Sequence, residues 1–497
     1  MKSFFRNNLL LIGILVVYLF VALYQLDTIP GEIWGDAISH YYLAEKILQG
    51  HFFIDYEFGG DGPIFSYLAA FITNFMPLSF YSLKFTAVWI GFLFVLSMYF
   101  LTEEFFHNKT ISLTATFISG VSFWTIVFAR QPHARILVPL FISLTLIYTL
   151  KKKNFFSGLL LGLGMYTQAS FWGMIFTYWK NWRILIIGLV FTIPLVWTFI
   201  DNSNGFLSGS NYFGEKLAVH TPVSQMIYAL LYNVQANLLS FNFRGDGIFR
   251  MNIPYHPHLD FVSGILFVAG FFIIFYQSTR KKQKNFLFYF ILPFFFIQIP
   301  SFLDIHNYYV QPNISRMIGI IPFVYMSIAY CIFLLADFFA SKVQGKTGKK
   351  VVSLVISCGL LLIIFILNFY NYFIVYPRTL PNGNTPFGKI IAQMIDASAS
   401  DTQVIVIGAG WGQWAQPEVQ GIPMVQKTIH TEFFEQTVSQ AQTTLCQQQV
   451  KRKSLMIVVD PYFVDELRSV NLCLQQTKSF MLTKNGWNIA YIIQGTQ

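Results

Sequence analysis

Apolar runs close to twenty residues long recur through this chain, and they decide what it can fold into before any other feature is weighed. They lie near 8–25, 63–79, 82–101, 110–129, 135–150, 155–179, 184–200, 261–279, 286–303, 315–340 and 351–375. A helix needs about 20 apolar residues to cross the hydrocarbon core of a bilayer. The composition agrees: 11% of residues are charged, against about 25% in a soluble domain. The expectation is a polytopic α-helical membrane protein of about 11–13 transmembrane or half-spanning helices. Residues 1–375 form its membrane part, with outer loops at 26–62, 201–260 and 304–314. The N-terminus has a positive start and an apolar core, but no small-residue cleavage site follows, so it reads as an uncleaved anchor.

The net charge of +10 does not point to nucleic acid, because of where the charge sits. Basic residues gather in short loops between apolar runs, at Lys151–Lys153, Arg280–Lys284 and Lys342–Lys350. This is the positive-inside pattern. Taking those loops and Lys2 and Arg6 as cytoplasmic places the loop 26–62, Arg130 and Arg135, and segments 201–260 and 304–314 on the opposite, extracytoplasmic face. Everything after 376 joins them there. Two regions resist the count. Between Asp61 and Lys109 the charge rule asks for an odd number of crossings, yet two runs are present. Between Lys153 and Asp201 it also asks for an odd number, and Lys180 to Arg183 cuts that region into pieces too short for three full spans. Half-length or re-entrant helices resolve both, and these are tolerated only where they line a protein-buried or watery cavity.

The tail, 376–497, is different material. It opens with a turn-rich PRTLPNGNTP linker. Then VIVIGAG from Val404 reads as a buried strand, TEFFEQTVSQAQTTLCQQQ as a helix, SLMIVVDP as a second strand and NIAYIIQG as a last one. A small C-terminal α/β extracytoplasmic domain is expected. The glycines of GAGWG fall short of a dinucleotide fingerprint. Cys446 and Cys473 both lie in this tail and are free to pair.

The segment from Leu26 to Pro63 holds seven of the 23 acidic residues, directly after the first apolar run. Asp36 begins an amphipathic pattern lying at the interface. A carboxylate there is favoured by the helix dipole, and the same position also reads as a plain N-cap. Asp61-Gly62-Pro63 reads as a turn and helix start, or as a second functional acid. Arg130 and Arg135 flank Gln131-Pro132-His133. They serve either as snorkelling anchors or as a guanidinium fork for a lipid phosphate. In 241–260, Arg244, Asp246, Arg250, Asn252, His256 and His258 fall close together. They suit phosphate, sugar hydroxyls or a metal, although the prolines argue for an irregular loop. His306 and Arg316 flank the last outer loop, where interfacial anchoring is the competing account.

Taken in order, these pieces resemble the polytopic, polyprenyl-phosphate-dependent glycosyltransferases of the protein O-mannosyltransferase and aminoarabinose transferase superfamily. The likeness is strongest to the bacterial branch, family 39, with the class C glycosyltransferase fold. It is carried by Gly35-Asp36 with Tyr41 and Ala44 to Gly50, by Gly60 to Pro63 with Tyr67-Leu68, and by Ser122-Phe123-Trp124 with Ala129-Arg130. Gly162 to Thr167 follow, then Gly245-Asp246 with Arg250 and Asn252. Pro257, Leu259-Asp260 and Gly264 come next, and Ser315-Arg316 with Gly319 and Pro322 closes the series. Family members often carry a second acid directly after the first-loop aspartate, where this chain has Ala37. An arginine often seen after the glycine-rich span is replaced by Gln168 to Phe171.

The resemblance implies an inverting transfer from a polyprenyl-phosphate sugar to an acceptor hydroxyl or amine, with Asp36 as base. Asp61, Arg130, Arg135, Arg244, Arg250, His306 and Arg316 are then the substrate-binding candidates. The acceptor is a lipid, glycan or protein, and the location is the cell (inner, cytoplasmic) membrane. No cofactor is assigned, no metal ligand is assigned, and a divalent cation stays open. The competing readings are a lipid-linked oligosaccharide polymerase or ligase, a transporter or flippase, and a structural membrane protein.

Overall fold

The computed structural model describes residues 2–32, 35–56, 60–201, 222–280, 283–304, 311–399, 402–407, 421–422, 433–447, 454–469 and 475–496. The chain divides into two compact units. One joins Met1–Leu26 to Tyr42–Tyr376; the other joins Asp27–Tyr41 to Pro377–Gln497. The sequence reading kept the whole first loop with the membrane part, and the reason it divides is local and polar. Within the second unit Glu32 accepts the Gly388 N–H (2.6 Å), Asn384 accepts the Gly31 N–H (2.7 Å) and Asp27 pairs with Lys389 (2.5 Å).

The first unit is helical. It runs α1 (Lys2–Leu23), α2 (Asp36–Leu48, begun in the other unit), α3 (Ile64–Ile72), α4 (Phe80–Phe106), α5 (Lys109–Val121), α6 (Phe123–Arg130), α7 (Leu137–Leu150), α8 (Asn154–Gly164) and α9 (Trp182–Asp201). Then come α10 (Val223–Leu239), α11 (Phe261–Arg280), α12 (Lys284–Phe302), α13 (Ile314–Ser341) and α14 (Lys346–Thr379, its last three residues in the other unit). Among the described residues six helices (α4, α9, α11–α14) are long and apolar enough to cross a membrane. The bent α5–α6 pair makes a seventh, and three shorter apolar helices accompany them. This is a multi-pass membrane protein.

Both irregular regions are built from short pieces. Helix α3 has nine residues, about 13 Å at 1.5 Å per residue, so only α4 crosses in full between Asp61 and Lys109. After Lys153, α8 has 11 residues and is followed by a 3₁₀ stretch, Ala169–Tyr178. That winding rises about 2.0 Å per residue and carries the chain further than an α-helix of equal length. Its ends are fixed by contacts: Gln168 bridges to Asp61, and the Tyr178 hydroxyl bonds Thr149 (2.9 Å). Gly62 is required at this junction, because a Cβ there would collide with the Tyr166 carbonyl, while its N–H donates to Thr167 (2.8 Å).

The α5–α6 span bends by 54° at Ser122, which frees backbone groups that hydrocarbon cannot solvate. Asn368 of α14 repairs the break. Its side-chain oxygen accepts the Phe123 N–H (2.7 Å), and its amide donates to Asp260 (2.8 Å) and to the Ile364 carbonyl (2.8 Å).

The second unit carries a five-stranded sheet, ordered β2-β1-β3-β5-β4, of β1 (Thr402–Ile407), β2 (Phe433–Gln436), β3 (Ser454–Val459), β4 (Gln475–Lys484) and β5 (Trp487–Thr496). β1 lies parallel to β2 and β3, and β5 is antiparallel to β3 and β4. Strand alternation sorts the core into two faces. Val404, Val406, Met456 and Val458 pack with Ile391 and Ile395 of α15 (Phe387–Asp396). Ile405, Ile407, Ile457 and Val459 pack with Val438 and Ala441 of α16 (Val438–Gln447) and Leu467 of α17 (Val464–Arg468).

The expected helix from Thr431 is part strand: Phe433–Gln436 is β2, and the helix begins only at Val438. Parallel pairing to β1 overrides local propensity there. Strand β4 was not anticipated; it turns into β5 through Asn485-Gly486, both at positive φ, a two-residue hairpin turn. Cys446 is disulfide-bonded. Cys473 and the glycine stretch after β1 lie outside the described residues.

Replacing Asn368 by Leu takes away the acceptor of the Phe123 N–H and one of the donors to the Asp260 carboxylate. The expected loss is about 1–3 kcal/mol, read as a lower unfolding temperature in detergent. An unchanged temperature would show that the bend is stabilised elsewhere.

Candidate active site

Charged side chains gather at one end of the helical unit, where four separate stretches of chain meet. Asp61 follows the first loop and leads into α3, and it is buried. Arg135, just before α7, lies with its Nε 3.5 Å from one Asp61 oxygen, and the His133 Nδ1 is 3.8 Å from the other. Arg316, in the first turn of α13, forms a buried ion pair with Asp304, and the Gln311 amide donates to the same carboxylate (3.0 Å).

Asp246 links the two halves. It is wholly buried, and its two oxygens accept the Ile248 N–H (2.7 Å) and the Ile314 N–H (2.9 Å). Burial raises the carboxyl to about 7, against the pull of those two N–H groups and the positive charges of Arg135 and Arg316. Its own backbone is clamped by the loop that follows. The Asp246 N–H donates to His258 Nε2 (3.2 Å), and the carbonyl accepts from Asn252 (3.1 Å) and the Tyr255 N–H (2.9 Å). Burial lowers His258 to about 3, so this ring is a neutral acceptor at Nε2, tilted 47° against the Trp124 ring.

The turn carrying Arg316 is fixed from both sides. The first N–H groups of a helix have no partner within it. Here Asp246 takes that of Ile314, while the Asn313 side chain takes those of Ser315 (3.1 Å) and Arg316 (3.2 Å).

The sequence-derived candidates distribute unevenly. Asp61, Arg135 and Arg316 come together in this cluster. Arg130 is wholly buried in a different role: its guanidinium donates to the carbonyls of Val21 (2.9 Å), Tyr24 (2.6 Å) and Gln25 (2.8 Å) and faces the Tyr372 and Phe373 rings. These carbonyls close the C-terminal end of α1, where a cation is favoured. Arg244 is exposed over the Tyr255 ring, 4.8 Å from its centroid. Arg250 is half-buried, and its carbonyl accepts from the Tyr376 hydroxyl (2.8 Å) and from Gln131. Asp36 is the first residue of α2, after Gly35 at φ 59°; its side chain lies outside the described ones, as does His306.

The sequence reading missed His133, Asp304, Gln311 and Asn313, and it offered Asp246 only as one of several polar side chains in 241–260 suited to phosphate, sugar hydroxyls or a metal. The available signal was scarcity of charge, with 23 acidic residues and nine histidines in 497; the amides Gln311 and Asn313 carried no such signal.

No protein-family model and no curated protein match the sequence. The fold is nonetheless shared. ArnT from Cupriavidus metallidurans in the apo state superposes with a TM-score of 0.58 at 12% identity, over 100% of this chain and 98% of that one. The same protein bound to undecaprenyl phosphate gives 0.54 at 11%, over 98% and 97%. The archaeal oligosaccharyltransferase AglB from Archaeoglobus fulgidus, in complex with an inhibitory peptide and a dolichol-phosphate, gives 0.51 at 12%, over 91% and 70%. At 11–12% identity the likeness is one of fold: this chain shares the architecture of ArnT and AglB, the architecture that the sequence resemblance led one to expect.

Arg130→Lys keeps the charge but removes the fork that spans three carbonyls. It is expected to lower stability by about 2–3 kcal/mol, measured by thermal unfolding in detergent. Wild-type stability in this variant would remove Arg130 from the account of the α1 terminus.

Proposed function

We propose that this chain is an inverting glycosyltransferase that moves a sugar from a polyprenyl-phosphate donor to an acceptor hydroxyl or amine. The carrying observation is the full-length likeness to a membrane protein solved with undecaprenyl phosphate. The buried guanidiniums of Arg135 and Arg316 at one end of the bundle support it. In this reading that end faces outward, at the cell (inner) membrane, with the N-terminus cytoplasmic and the C-terminal sheet unit extracytoplasmic.

The chemistry asks little of the protein. A sugar phosphate linked to lipid already has a good leaving group, so the acceptor needs a base and the departing phosphate needs positive charge. Asp36 takes the role of base: it begins α2, a helix end that favours a carboxylate. Attack opposite the leaving phosphate inverts the anomeric carbon. Arg316 and Arg135 hold the phosphate, and Asp61 orients Arg135 through their contact. Arg244, Arg250 and His306 are candidates for contacts further along donor or acceptor. Arg130 is assigned to the fold. The likeness to AglB favours a second reading, transfer of an oligosaccharide to a protein.

Asp36→Asn tests the assignment directly. It is expected to cut transfer by about 10²–10⁴-fold while leaving undecaprenyl phosphate bound with wild-type affinity. Comparing glycans and lipid-linked sugars in cells with and without the gene identifies sugar and acceptor. Identical profiles, or a fully active Asp36→Asn, would end the enzymatic reading.

A further inference from the structure

We propose that Asp246 is a positioning residue that latches the arginine-bearing turn of α13, and thereby sets the affinity for an anionic lipid phosphate. The inference rests on the donor-binding role given above to Arg316. Three observations carry it. The Asp246 carboxylate bridges two loops remote in sequence, accepting the Ile248 N–H at 2.7 Å and the Ile314 N–H at 2.9 Å. Its backbone is itself immobilised by His258, Asn252 and Tyr255, so the anchor point does not move. Ile314 stands two residues before Arg316, in a first turn whose remaining N–H groups are held by Asn313.

A carboxylate that accepts two N–H groups is a stronger acceptor ionised than protonated. Loss of charge on Asp246 therefore slackens the turn, and Arg316 loses its fixed aim. Among the described residues the charges that act on Asp246 are Arg135 and Arg316; Asp61 and His133 face the first, and Asp304 faces the second. Burial holds the carboxyl near 7, so the latch tightens as pH rises through neutrality. A purely electrostatic role has the opposite sign: an ionised Asp246 would repel the phosphate, and binding would weaken with rising pH.

Undecaprenyl phosphate binding by the purified full-length protein in detergent, at pH 6 and pH 8, separates these outcomes. Asp246→Asn is expected to bind about 10-fold more weakly than wild type at pH 8. The difference should shrink toward pH 6; the probe's own titration is common to both proteins. Asn313→Ala, which loosens the same turn without touching Asp246, should weaken binding at both pH values. An Asp246→Asn variant that binds as well as wild type at pH 8, or more tightly, overturns the proposal. Hydrogen exchange of a peptide covering Ile314–Met317 reads the latch without ligand, and should be faster in Asp246→Asn. If wild type binds no undecaprenyl phosphate yet exchange accelerates, the latch stands and the functional reading falls. Equal exchange removes the latch itself.

Discussion

Inside hydrocarbon no water is at hand to accept a stray N–H or to solvate a carboxylate, and most of the local features of the helical unit follow from that. Several departures from regular helix among the described residues are met by side chains, some of them brought from far along the chain. Asn368 takes the amide freed at the α5–α6 bend, Arg130 takes the carbonyls at the end of α1, and Asp246 and Asn313 take the amides that open α13. Irregular backbone at membrane depth survives only with such partners.

The same constraint concentrates charge. A chain with 11% charged residues buries Asp61, Asp246 and Asp304 beside Arg135 and Arg316, where each carboxylate has a cation or N–H donors within reach. Buried ion pairs add little net stability, so the cluster is better explained by use than by folding. In the proposed reading, guanidiniums held at fixed positions in a poorly solvated site offer a phosphate more than mobile surface arginines do. Arg244, exposed over Tyr255, is of the second kind.

Much of this was legible beforehand. Membrane class, the broken character of 63–79 and 155–179, and an α/β tail followed from run lengths and from charge placed between runs. Asp61, Arg135 and Arg316 stood out as rare charges beside apolar segments. Arg130 shared that signature and went to a different place, because snorkelling, helix capping and phosphate binding look alike in one dimension. Strand β2 was hidden inside an apparently helical stretch, since its pairing to β1 is non-local.

Run length and residue class therefore determined by themselves that the chain is a multi-pass helical membrane protein and where its apolar segments lie, because hydrophobic transfer and backbone satisfaction act segment by segment. Which charge meets which was decided only in three dimensions. The bond from Ile314 to Asp246 spans 68 residues, and that from Phe123 to Asn368 spans 245. Partners of that kind are chosen by packing, to which no local pattern along the chain gives access.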